Sequence, residues 1–142
     1  MITEIEGRQG KELKKNFYFV RHAQSEANVQ LTAGGDTTLT KLGVQQAKDA
    51  GLELKQRFAV LNVLPVAFAH TGFKRSRQTL EIISEVFKSE LKHVELTGFR
   101  ERALGDYEEK PLDDLLLSPE IKELYEKFGP SCVWFLKSEN KG

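Results

Sequence analysis

Histidine and arginine side chains stand at three points of the chain where they could bind and transfer a phosphoryl group. Arg21 and His22 are adjacent, Arg75 lies in a second stretch, and Arg100 and Glu101 are adjacent in a third. An arginine fork binds two phosphate oxygens at once. A neutral imidazole beside such arginines can attack phosphorus, while a carboxyl group across the pocket protonates the oxygen that leaves. These residue types together indicate phosphoryl transfer through a covalent phosphohistidine, with the arginines stabilising the transferring group.

The order of the predicted elements brings these residues to one rim of a sheet. Apolar runs over residues 16–20 and 64–69 are typical of strands buried on both faces, and residues 94–96 predict a weaker third strand. Amphipathic helices are predicted from Thr40 to about residue 58 and over residues 75–91. The alternation favours an α/β fold, a three-layer α/β/α arrangement with a mainly parallel sheet. Ligands bind beyond the carboxyl ends of such strands, which is where the histidine, arginine and glutamate side chains fall.

Shorter elements are predicted on either side of this alternation. Residues 24–31 form a short helix with Ser25 near its start, and the glycines of residues 32–38 indicate a loop. A further helix begins at Ser118-Pro119 and ends at Gly129-Pro130.

Composition predicts one domain and excludes several classes of function. Residues 1–15 are polar and predict a flexible N-terminus without a signal peptide, followed by a domain over residues 16–142. Twenty-one basic residues balance 21 acidic ones, so no global attraction to nucleic acid or to a membrane surface is expected. Cys132 is the single cysteine, which excludes a disulfide framework and a cysteine-rich zinc site. We therefore expect a cytoplasmic protein whose partner is a small phosphorylated substrate, with its oligomeric state left open.

Four blocks of the sequence resemble one family, in that family's order. Residues 20–28 (VRHAQSEAN) resemble the Arg-His-Gly signature of the histidine phosphatase superfamily, which includes the phosphoglycerate mutases. Residues 39–47 resemble its Leu-Thr-x-x-Gly-x-x-Gln-Ala helix, and residues 75–79 its Arg-Ala-x-Gln-Thr block. Residues 100–108 resemble the block that carries its acidic residue. The resemblance therefore implies a phosphoglycerate mutase-like fold.

The resemblance also implies a role for each matching residue. His22 is the implied phosphorylated nucleophile, and Glu101 is the implied acid and base. Ser25 either shapes the loop or makes a secondary contact. The phosphate and substrate ligands that the blocks imply are Arg21, Gln24, Ser25, Asn28 and Arg75. No metal or cofactor is implied, because the arginines supply the positive charge.

The sequence also departs from the family pattern. Ala23 replaces the usual glycine, which matters only if the backbone there needs a positive φ. The family's second pocket histidine matches neither His70 nor His93. His70 is expected to be a loop histidine whose ring is satisfied by backbone, and His93 to open the third strand. Because the family continues with further strands and helices, we expect this chain to be the N-terminal portion of the domain, with an uncovered apolar sheet face.

The sequence supports a metal-independent phosphomonoester hydrolase and leaves three alternatives open. These are a phosphoglycerate mutase-type phosphotransferase, a non-catalytic phosphate-binding remnant, and an interaction module that uses residues 115–134 as its contact surface. Lys74 and Arg77 are expected to be solvated, and so are the carboxylates of residues 106–114, for which a Mg²⁺ site is the less favoured interpretation.

Overall fold

A computed structural model of the chain describes residues 2–7, 15–88, 91–99 and 108–128. The strands within these residues are β1 (Ile2–Gly7), β2 (Lys15–Val20), β3 (Phe68–His70) and β4 (His93–Glu95). The helices are α1 (Glu26–Gln30), α2 (Lys41–Leu61), α3 (Lys74–Phe87), α4 (Leu112–Leu116) and α5 (Pro119–Phe128). The alternation of strands and long helices that the sequence predicts is confirmed. The second buried strand, predicted over residues 64–69, is wrong in its extent, because β3 begins only at Phe68 and Leu64 and Val66 are 84% and 89% exposed.

The four strands form two separate pairs. β1 runs antiparallel to β2, with Ile2 opposite Val20, whereas β3 runs parallel to β4, with Phe68 opposite His93. His93 opens β4, as predicted. β1 lies in residues 1–15, which the sequence predicts to be a flexible terminus. The reason for that prediction is that the mixed apolar and charged residues of β1 give no clear strand pattern. Pairing with β2 nevertheless satisfies its backbone, whatever its side chains are.

The start of α2 follows a capping residue in the sequence, whereas the ends of α2 and α3 differ from the prediction. Thr40 caps α2 as predicted, since its hydroxyl oxygen accepts a hydrogen bond from Gly43 N–H at 3.0 Å. α2 continues to Leu61, and α3 ends at Phe87, where Lys88 adopts a left-handed conformation with a φ of 50°. None of the described helices is long and apolar enough to cross a membrane.

α2 and α3 pack on both strand pairs through one group of aromatic rings. Phe58 of α2 lies 4.6 Å from Tyr18 of β2 and 5.6 Å from Phe87 of α3, measured between ring centroids. Phe87 in turn lies 5.8 Å from Phe68 of β3. Leu54 and Ile83 complete this core. The two helices therefore hold the strand pairs on one common core, although no backbone ladder joins β2 to β3.

The other face of β2 is exposed. Tyr18 and Val20 pack towards the helices, whereas Phe17 is 52% and Phe19 is 45% exposed. The prediction of a strand buried on both faces is therefore wrong for the part of the chain that the structure describes. The run of apolar residues is real, but none of the described elements buries these two rings.

Phe58→Ala should destabilise the fold strongly, and Val60→Ala on the same helix should not. Phe58 is 7% exposed between two aromatic rings, so its loss should cost about 3–5 kcal/mol of unfolding free energy. Val60 is 86% exposed and should change it by less than about 0.5 kcal/mol. Urea unfolding followed by circular dichroism measures both, and similar losses for the two variants would contradict this core.

Candidate functional site

The loop that follows β2 is held by side chains of α2 and α3. Ala23 N–H donates to Thr79 Oγ1 at 3.1 Å, and Gln24 N–H donates to Gln46 Oε1 at 3.0 Å. Thr40 N–H donates to the carbonyl oxygen of Gln24 at 3.0 Å. An irregular segment cannot satisfy its backbone groups in a ladder, so these contacts replace one. They fix the backbone that directly follows the candidate nucleophile, His22.

His22 lies on this loop in a defined orientation. Its Nδ1 is 2.8 Å from the carbonyl oxygen of Ala23. A carbonyl oxygen only accepts hydrogen bonds, so this contact requires the proton on Nδ1. In the neutral ring the lone pair is then on Nε2. The half-buried ring therefore has the tautomer in which Nε2 is the nucleophilic atom.

Arg75, in the first turn of α3, is a buried basic residue. It is 4% exposed, its Nη1 donates to the carbonyl oxygen of Gly35 at 2.6 Å, and its guanidinium carbon lies 4.6 Å from the centre of the Phe73 ring. Lys74 and Arg77 are exposed, as predicted. A buried guanidinium needs such partners because leaving water is costly for a charge.

Thr79 connects Arg75 with the loop of His22. Its hydroxyl group donates to the carbonyl oxygen of Arg75 at 2.7 Å and accepts from Ala23 N–H at 3.1 Å. The first turn of α3 is thereby tied to the residue after His22. Arg21, directly before His22, is exposed. The structure thus brings the elements bearing Arg21, His22 and Arg75 to one end of β2, as the strand order predicts.

The remaining predicted ligands have other partners in this structure. Gln24 Oε1 accepts from the hydroxyl group of Thr40 at 2.7 Å, so its side chain joins the loop to the start of α2. Ser25 is 1% exposed, and its N–H and hydroxyl group donate to Asn28 Oδ1 at 2.9 and 3.0 Å. Ser25 therefore shapes the loop, the first of its two expected roles, and its burial argues against a phosphate contact.

Asn28 and Glu101 are the two remaining predicted site residues. Asn28 itself is exposed at the surface of α1, so its role as a phosphate donor stays a prediction. Glu101, the predicted acid and base, lies outside the described residues together with Arg100.

Ala23 and His70, which both differ from the family pattern, are accommodated locally. Ala23 does not have a positive φ, and its methyl group is buried against Leu39 and Ala47, so alanine causes no backbone strain. His70 Nδ1 accepts a hydrogen bond from Gly72 N–H at 3.0 Å. The expectation of a backbone contact to the ring is confirmed, whereas the expected loop position is wrong, because His70 is the last residue of β3.

A cavity of about 280 Å³ opens beside His22, close to the lower end of the ~300–1,000 Å³ range of small-molecule sites. Val20, Arg21, His22 and Ala23 form one side, and Gln46, Ala47, Ala50 and Thr79 form the other. Arg75 does not line it. The cavity therefore reaches the imidazole from the side of α2 and α3 and is not itself the arginine pocket that the sequence predicts.

Sequence reasoning missed several residues that build this site. Thr79 and Gln46 lie within the resembling blocks, but their role in holding the loop backbone was not foreseen. The sequence predicts Gly35 only as a loop residue and Glu108 only as a solvated carboxylate. Glu108 is exposed, as predicted, and its Oε1 also accepts from Gly35 N–H at 2.6 Å. The adjacent glycines at positions 34 and 35 are the one signal that could have indicated a close approach.

The fold and these residues agree with similarities to known proteins. The sequence model of the histidine phosphatase superfamily (branch 1) matches residues 17–130, and the chain belongs to this family. It is 36% identical over 98 residues to a 2,3-bisphosphoglycerate-dependent phosphoglycerate mutase of Nitrobacter winogradskyi, an alignment that covers 68% of this chain and 42% of the relative. It is 33% identical over 98 residues to an uncharacterised phosphatase, PhoE, of Bacillus subtilis, an alignment that covers 67% of this chain and 46% of the relative.

A solved structure, YhfR of Bacillus stearothermophilus, is similar with a TM-score of 0.62 and 26% identity, covering 75% of this chain and 50% of that one. This similarity confirms the predicted phosphoglycerate mutase-like fold. The chain spans less than half the length of the two curated relatives.

Thr79→Val should loosen the loop of His22. Valine matches the shape of threonine but cannot accept from the buried Ala23 N–H, so the unfolding free energy should fall by about 1–3 kcal/mol. The amide of Ala23 should also exchange faster with deuterium. Thr79→Ser keeps the hydroxyl group and is the matched control. Equal exchange rates in the two variants would contradict the proposed tie.

Gly43→Ala should destabilise the junction between α2 and this loop. A Cβ atom at Gly43 would overlap the carbonyl oxygen of Gln24, which is backbone and cannot swing away. The overlap should outweigh the ~1 kcal/mol that alanine adds to a helix and leave a net loss of about 1–3 kcal/mol.

Gly98→Ala is the control, since a Cβ there meets no atom of the described residues within 4 Å. Thermal unfolding measures both variants. A stabilised Gly43→Ala protein would contradict this close approach.

Proposed function

We propose that this chain forms the nucleophile-bearing part of a phosphomonoester hydrolase that acts on small phosphorylated metabolites through a phosphohistidine at His22. The observation that carries the proposal is the hydrogen bond from His22 Nδ1 to the carbonyl oxygen of Ala23. It leaves the lone pair of the neutral ring on Nε2 and holds the ring still. Membership of the histidine phosphatase superfamily supports the same assignment.

Two displacements at phosphorus make up the proposed reaction. His22 Nε2 attacks phosphorus in line, so a P–N bond forms while the ester P–O bond breaks, and Glu101 gives its proton to the departing oxygen. Water then attacks the phosphohistidine, Glu101 takes a proton from that water, and the P–N bond breaks. Inorganic phosphate leaves, and both side chains return to their starting states. The guanidinium groups of Arg21 and Arg75 stabilise the charge on the phosphoryl oxygens.

The burial of Arg75 supports its role as a phosphate ligand. A guanidinium removed from bulk water interacts more strongly with a phosphate dianion than an exposed one does. Its hydrogen bond to Gly35 and its contact with Phe73 fix its orientation before any ligand arrives. Phosphate binding then requires little further ordering of the side chain.

A non-catalytic phosphate-binding protein is the second candidate. It is favoured by one observation, namely that the buried Arg75 does not line the cavity beside His22. Such a protein would keep the arginine pocket without turnover.

In a mutase, the phosphoryl group would return from His22 to another hydroxyl group of the same substrate. The small-metabolite partner and the cytoplasmic location remain proposals.

Hydrolysis of p-nitrophenyl phosphate in the absence of added metal tests the proposed function. His22→Ala removes the nucleophile and should lower the rate at least ~100-fold, whereas His93→Ala, in β4, should leave it unchanged. Arg75→Lys keeps the charge but loses the fork, and should lower the rate about 100-fold. Arg77→Ala, an exposed neighbour on α3, should change it less than about twofold.

Equilibrium binding of inorganic phosphate, measured on the same proteins, separates the alternatives. Turnover that depends on His22 supports the hydrolase. Phosphate binding that is weakened but still measurable in Arg75→Lys, without turnover in the parent chain, supports the non-catalytic protein and overturns the hydrolase. Absence of both signals overturns both and leaves the interaction module. Circular dichroism of each variant shows whether it is folded.

A further inference from the structure

The Glu108 side chain contacts the loop that holds Arg75, although Glu108 and this loop are far apart in the sequence. The carboxylate Oε1 accepts a hydrogen bond from Gly35 N–H at 2.6 Å, across 73 positions of sequence. Gly35 is buried, and its carbonyl oxygen accepts from Arg75 Nη1 at 2.6 Å. Gly35 therefore connects the carboxylate with the buried guanidinium, because Glu108 binds its N–H group and Arg75 binds its carbonyl oxygen.

The backbone around Glu108 is paired with the same loop. Ala33 N–H donates to the carbonyl oxygen of Lys110 at 2.8 Å, and Glu109 N–H donates to the carbonyl oxygen of Ala33 at 2.8 Å. Leu112 N–H donates to the carbonyl oxygen of Leu31 at 2.7 Å. These bonds bring the residues before α4 alongside residues 31–35. The Glu108 carboxylate is thus part of a built contact and does not reach Gly35 as an isolated surface group.

Glycine is favoured where this carboxylate approaches. Gly34 has a φ of 65° and Gly35 a φ of 75°, values that L side chains rarely adopt. A Cβ atom at Gly34 would also overlap the Glu108 carboxylate. The turn is held on its other side as well, because Asp36 Oδ1 accepts from Lys74 N–H at 2.6 Å at the start of α3. Without such contacts a glycine pair would sample many conformations.

We infer that Glu108 is a positioning residue, which fixes the Gly34-Gly35 turn so that the Gly35 carbonyl oxygen holds the guanidinium of Arg75 in the orientation that binds phosphate. This inference rests on the proposed role of Arg75. Glu108 itself touches no phosphoryl group in this scheme. A charged acceptor holds an N–H more firmly than a neutral one, so the carboxylate gives the turn its fixed geometry. Phosphate affinity therefore depends on Glu108 only through Arg75.

Binding of inorganic phosphate to the full chain, measured by titration calorimetry, tests this role. Glu108→Ala should weaken binding about tenfold, because the turn loses its charge-assisted hydrogen bond. Glu108→Gln keeps an acceptor oxygen in the same position and should bind within about threefold of the parent chain. Glu109→Gln is the matched control, since no hydrogen bond of its carboxylate to Gly35 occurs in the part of the chain that the structure describes, and it should bind as the parent does.

A double variant separates positioning from a general effect on folding. In the Arg75→Lys background, Glu108→Ala should weaken phosphate binding no further, because the guanidinium that it positions is already gone. An additional tenfold loss in that background would overturn the inference. Binding by Glu108→Ala that equals that of the parent would also overturn it.

The guanidinium of Arg75 supplies a readout that does not require phosphate. Its Nε–H signal in a nitrogen–proton correlation spectrum is assigned by its absence in Arg75→Lys. It should be sharp in the parent chain and in Glu108→Gln, and broadened in Glu108→Ala. If Glu108→Ala broadens it while the parent chain binds no phosphate, the positioning of Arg75 stands and the proposed function falls. An unchanged signal in Glu108→Ala overturns the positioning role.

Discussion

The backbone of the loop after β2 leaves its sheet and cannot satisfy its own hydrogen-bonding groups. The side chains of Thr79 and Gln46 do this instead, together with Thr40 N–H, which donates to the carbonyl oxygen of Gln24. Each of these bonds joins the loop to a helix that is itself anchored in the aromatic core. The position of His22 is therefore set by the packing of α2 and α3 and not by the strand alone, so a change in that packing reaches the imidazole directly.

Arg75 shows how the same helices bring a charge into the fold. Burying a guanidinium is unfavourable unless its N–H groups find acceptors. The Gly35 carbonyl oxygen is one such acceptor, and the Phe73 ring lies beneath the group. The cost of burial is offset by these contacts, and the gain is a cation whose orientation is fixed in advance. Lys74 and Arg77, which remain in water, have no comparable restraint.

The strand pairs share a core without sharing a ladder. Rings from β2, α2, α3 and β3 touch in sequence, so the helical layer organises both pairs. The exposed Phe17 and Phe19 show that β2 has the composition of a strand covered on both faces, although only one face is covered among the described residues. The chain with these features belongs to the histidine phosphatase superfamily and spans less than half the length of its two curated relatives.

The sequence by itself determined the elements whose signals are local. Hydrophobic patterns located β2, α2, α3 and β4, the cap at Thr40 marked a helix start, and strand order indicated that the segments bearing His22 and Arg75 come together. Tertiary structure alone decided which face of β2 is buried, that residues 2–7 pair with β2, and that Glu108 reaches Gly35. These outcomes depend on contacts between distant parts of the chain, such as Gly35 and Glu108, which are 73 positions apart. Local composition does not identify such a distant partner.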